Sequence, residues 1–129
     1  MAVHVWFVDR DKLIGPVRAV AEVRRMKKGN GAWAVLVCWD LEDRPVRWSP
    51  EDRAAWLLAR RFRQGGQYRV GTSAFLTRLA AERFLQGEAD RVLKEGDRGW
   101  KHRNQPFLVE RAERIAPPDV YRQKRRTGR

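Results

Sequence analysis

The side chains able to hold a metal or move a proton are His4, Asp9, Asp11, Asp40, Glu42, Asp43 and His102. Asp40, Glu42 and Asp43 fall together after an apolar run, where carboxylates could hold Mg²⁺ as in a nuclease. Their spacing completes no metal motif, and acids in a turn are ordinarily solvated. One Cys and two His make no zinc site. There is no glycine-rich phosphate loop followed by Lys, no Gly-x-Ser-x-Gly elbow and no Cys-His nucleophile arrangement. The chain therefore reads as non-catalytic, with no cofactor and no metal; a metal-dependent nuclease is a third-ranked reading.

Basic side chains carry a stronger signal. The formal net charge is +12 over 129 residues, from 28 Lys and Arg against 16 Asp and Glu. More than half of the positive charges sit in four stretches that contain no acid. They are Arg24, Arg25, Lys27 and Lys28; Arg60, Arg61 and Arg63; Arg98, Lys101 and Arg103; and Arg122, Lys124, Arg125, Arg126 and Arg129. The remainder of the chain is slightly acidic. Charge segregated in this way is what a polyanion-binding surface requires, whereas a uniformly basic composition would not cluster. Arg outnumbers Lys by 22 to 6, which suits bidentate phosphate contacts and stacking on bases, although a GC-rich genome would produce the same bias.

Aromatic residues lie close to these charges. A helical projection of the segment after Pro50 places Arg53, Trp56, Arg60 and Arg63 opposite a core stripe of Ala54, Ala55, Leu58 and Phe62. That makes Trp56 a candidate stacking platform among guanidinium groups; the plainer alternative packs it under a loop with Arg stems laid over it. Trp100, Lys101, His102 and Arg103 form a second group, an aromatic followed by donors for phosphates and base edges. Arg24, Arg25, Lys27 and Lys28 would line a basic hairpin tip. Arg122, Lys124, Arg125 and Arg126 would form an arm adding affinity without selecting sequence.

The elements that must position these groups follow from periodicity. Segment 3–8 is β-branched and aromatic, a first buried strand. Segment 17–24 alternates with period two and reads as a strand, with a helix as rival. The Gly and Asn of 27–31 make a turn, and 32–41 is a central strand in which Cys38 reads as a small buried hydrophobe. A short edge strand is expected at 46–48. Ser49 as N-cap and Pro50 at the first helical position open a helix running to about Arg63, stopped by Gly65 and Gly66. After an extended piece at 67–70, Thr72 or Ser73 caps a second helix, with Phe75, Leu76, Leu79, Ala80 and Phe84 on one face, Leu85, Val92 and Leu93 on another, and a break at Gly87. Segment 106–115 is ambiguous and is taken as a last strand.

The expected fold is thus α+β: a small, mostly antiparallel sheet, open or closed into a barrel, with two or three helices inserted before the last strand. Residues 1–118 form one domain and 119–129 a basic tail. No stretch approaches the roughly 18 apolar residues needed to span a bilayer, and the amino terminus lacks signal-peptide features, so a cytoplasmic location is expected. The expected partner is nucleic acid, RNA or single-stranded or structured DNA. The main rival is a protein-interaction or inhibitor module that docks on an acidic or nucleic-acid-processing partner.

Overall fold

A computed structural model describes residues 1–25, 31–40, 50–96 and 106–115. Five strands and three helices follow in the order β1 (Ala2–Asp9), β2 (Ile14–Arg25), β3 (Ala32–Trp39), α1 (Pro50–Arg61), β4 (Gln67–Arg69), β5 (Ala74–Phe75), α2 (Arg78–Gly96) and α3 (Pro106–Ile115). The chain divides into two compact units, one of residues 1–10 and 14–82, the other of residues 11–13 and 83–129.

The first unit is an antiparallel sheet of order β4-β3-β2-β1-β5, curled into a half-barrel. Its inner face takes every second residue of the strands. Val5 and Phe7 of β1, Val17, Ala19 and Ala21 of β2, and Ala34 and Leu36 of β3 are buried there with Leu58 and Phe62. The alternation of 17–24 is therefore that of a strand, and Pro50 does open α1. The helix ends at Arg61, two residues short of the expected end. Phe62 then enters an aromatic cluster: its ring centroid lies 5.2 Å from Phe7 and 4.7 Å from Tyr68, the latter edge-on, an arrangement favoured by the ring quadrupoles.

Two bulges shift what the strands present. Val20 pairs with Cys38 and Ala21 with Leu36, so Val37 has no partner across the ladder. One extra residue reverses the alternation beyond it. Trp39 consequently turns inward, 5.2 Å from Phe7, and Cys38 is exposed rather than buried. Gln64 Nε2 donates to the Val37 carbonyl at 2.5 Å, satisfying an acceptor at the irregularity. The second bulge is in β2, where Phe7 pairs with Val17 but Asp9 with Ile14, so Gly15 and Pro16 together stand opposite Val8. Gly15 has φ +118°, and a Cβ there would meet the Phe7 carbonyl oxygen at 2.7 Å, so the close approach requires glycine.

The second helix differs from its expected form. Ala74 and Phe75 are a two-residue strand paired with Phe7 and Trp6, so the helix starts later, at Arg78. Its cap is Thr77, whose Oγ1 accepts the Ala80 amide at 3.1 Å. Leu76, Leu79 and Ala80 are exposed, whereas Ala81, Leu85, Ala89, Val92 and Leu93 are buried. Gly87 lies within one continuous helix. Within the second unit α3 buries Leu108 and Ala112, a helical i,i+4 pair, and Arg111 Nη1 donates to the Lys12 carbonyl at 2.6 Å. Segment 106–115 is therefore a helix and not a last strand; of the three helices, only α1 is inserted between strands. Segment 46–48 and the tail 119–129 lie outside the described residues. Among those described, no helix is long and apolar enough to cross a membrane.

Candidate nucleic-acid interface

Each strand residue that does not face the core belongs to the outer face of the sheet, and cross-strand pairing decides its neighbours. On β2 these residues include Arg18, Val20, Glu22 and Arg24; on β3, Trp33 and Val35; on β4, Gln67 and Arg69. Trp33 stands directly opposite Arg24 on one side and Arg69 on the other. Residues so paired have Cβ atoms about 4.5–5.5 Å apart. One partly buried indole is thus bracketed by two exposed arginines on the neighbouring strands. Beside it Val35 is partly buried and paired with exposed Gln67.

The arginines differ in how they are held. Arg24 Nη2 is 3.0 Å from Glu22 Oε2, with both side chains largely exposed. Such a surface pair contributes little to stability and is readily exchanged for another anion. Further along the same face Arg18 Nε lies 2.7 Å from Asp40 Oδ2, and His4 Nε2 lies 3.6 Å from the same oxygen.

That contact also bears on the metal reading. Asp40 faces Arg18, Glu42 and Asp43 lie outside the described residues, and no three His, Cys, Asp or Glu come together among the described residues.

Of the basic groups read from the sequence, Arg24 and Arg25 end β2 and are exposed. They begin the β2–β3 connection that contains Lys27 and Lys28, themselves outside the described residues. On α1, Trp56 is partly buried and Arg60 exposed; the side chain of Arg53 is outside the description. Arg63 is exposed but lies beyond the end of α1, so the helical projection does not place it with Trp56; its amide donates to the Tyr68 hydroxyl at 2.6 Å. Arg61 is drawn away from the basic cluster altogether. Its Nη1 lies 2.8 Å from Oδ2 of Asp9, a carboxylate only 3% exposed. Trp100, Lys101, His102, Arg103, Arg122, Lys124, Arg125 and Arg126 all lie outside the described residues.

Trp33 and Arg69 were not among the sequence candidates. Trp33 sits in a run of apolar residues that reads as core. Its partnership with Arg24 could have been found by folding 24–33 into a hairpin; that with Arg69 required knowing that β4 pairs with β3. No protein-family model, curated protein or solved structure matches the chain.

Proposed function

We propose that the chain is a non-catalytic nucleic-acid-binding protein that takes RNA or DNA on the outer face of its sheet, as far as Arg24 and Arg25 at the end of β2. Trp33 bracketed by Arg24 and Arg69 is the observation that supports this most directly. Guanidinium groups grip phosphate through paired hydrogen bonds, and an indole among them offers a surface to a base. The clustered excess of positive charge supplies long-range attraction and counterion release on binding.

The test is fluorescence anisotropy of a labelled mixed-sequence oligonucleotide across a salt series. Affinity should fall steeply with salt, with a log-log slope corresponding to several phosphate contacts. Arg69→Ala should weaken binding to all sequences and reduce the slope by about one. A flat salt response, or no binding at low salt, would exclude the proposal in favour of an acidic protein partner.

A further inference from the structure

We infer that the strand seated on this face is unpaired, with one base stacked on Trp33 and the phosphates to either side of it held by Arg24 and Arg69. The inference rests on the nucleic-acid reading of the same face and specifies the form of nucleic acid it accepts.

Three features select a single strand. First, Arg24 and Arg69 stand one strand to each side of Trp33, so their backbones are about 9.5 Å apart across two strand spacings. Both side chains are long and exposed. They can reach phosphates before and after a single base without either crossing the indole. Second, this binding surface is built from strands, since Leu58 and Phe62 commit α1 to the opposite face. A strand surface tracks an extended backbone, whereas the faces of bases within a duplex are covered by their stacking neighbours and leave Trp33 nothing to contact. Third, the surroundings of Trp33 suit a splayed base. Val35 supplies partly buried apolar surface next to it, and Gln67 opposite Val35 offers amide donors and an acceptor to a base edge.

Glu22 fits the same scheme. Its carboxylate contacts the Arg24 guanidinium at 3.0 Å, in the place a phosphate would take, so an incoming phosphate competes with it for Arg24.

The experiment compares a labelled single strand of about 12 nucleotides, within the length covered by one small binding domain, with the same sequence as a blunt duplex. Ribose and deoxyribose versions are both titrated against the intact chain at moderate salt. The single strands should bind at least about tenfold more tightly than the duplex. Trp33→Leu, which keeps apolar bulk but no ring, should lower single-strand affinity by roughly 5-fold to 100-fold and leave duplex affinity unchanged; Trp33→Phe should retain most of the binding. Folding of each variant is checked by its thermal melt, and the wild-type preference alone decides the matter if a Trp33 variant fails to fold. Equal affinity for duplex and single strand, or a folded Trp33→Leu chain that binds single strands like wild type, would overturn the inference while leaving salt-dependent nucleic-acid binding intact. Absence of binding to every oligonucleotide would remove both.

Discussion

Arg61 illustrates how an arginine in a basic cluster can belong to the fold. Asp9 ends β1 facing inward and is the buried charged residue among the described residues. Arg61, in the last turn of α1, reaches it at 2.8 Å while remaining 46% exposed. Stripping the partner from a fully buried carboxylate costs about 3–5 kcal/mol. The guanidinium here is half in water, so both the attraction and its loss are screened, and Asp9 keeps further interactions. About 1–3 kcal/mol is therefore expected for Arg61→Ala. With a urea slope of about 1–3 kcal/mol/M for a small protein, a loss near 2 kcal/mol moves the midpoint down by roughly 1 M. Arg61→Ala and Asp9→Asn together should destabilise by less than the sum of the single changes, because the double variant leaves no uncompensated charge. Oligonucleotide affinity of folded Arg61→Ala should stay within about twofold of wild type, the change expected from one distant charge in water. An unchanged midpoint with an affinity loss as large as that of Arg24→Ala would refute the reasoning and return Arg61 to the binding surface.

Glu22→Gln should raise single-strand affinity about twofold to threefold, since a negative charge roughly 7 Å from a phosphate repels it by about 0.6 kcal/mol in water; weaker binding would show that Glu22 positions Arg24 productively. Leu85→Ala should cost about 2–5 kcal/mol and Leu79→Ala under about 0.5 kcal/mol in chemical denaturation, and a reversal would restore the face that includes Leu79 to the core. A Cβ at Gly87 would meet nothing within 4 Å, so Gly87→Ala should stabilise by about 0.5–1 kcal/mol, whereas a helix broken there would be destabilised. Cys38 should be labelled stoichiometrically by a maleimide without denaturant; protection until unfolding would mean that the bulge at Val37 is absent.

The strands were legible in the sequence where alternation was uninterrupted. Val17, Ala19 and Ala21 alternate with Arg18, Val20 and Glu22, and burial follows that order along β2. The start of α1 was legible because Pro50 marks it locally, and Leu58 and Phe62 keep helical spacing toward the core. Failures occurred where a single residue or a distant partner decides the outcome. The bulge at Val37 leaves no mark in composition, yet it exchanges the surroundings of Cys38 and Trp39. β5 has two residues, too few for any periodicity, and exists through its pairing with Trp6 and Phe7; without it Phe75 joins the helical count and shifts the apolar face of α2 toward Leu76 and Leu79. In α3, Phe107, Leu108 and Val109 have strand-forming side chains, but the burial of Leu108 and Ala112 at helical spacing outweighs local propensity.

The candidate interface follows the same rule. Clusters of Arg and Lys were visible because charge is counted along the chain, but a binding surface is assembled across it. Arg24 and Trp33 come together through the register that pairs Arg25 with Ala32, a relation internal to one hairpin. The second arginine arrives from β4, on the far side of a whole helix, and no local pattern around Arg69 distinguishes it from any other exposed residue. Slipping β4 by one position would turn Arg69 toward the core and bring Tyr68 out. Tyr68 resists this because its ring is edge-on to Phe62 at 4.7 Å and to Phe7 at 5.6 Å, and its hydroxyl accepts the Arg63 amide. The aromatic core on one face of the sheet thus fixes the register that sets Arg69 beside Trp33 on the other, so loosening that core through Tyr68 should weaken single-strand binding from a residue that never touches the ligand.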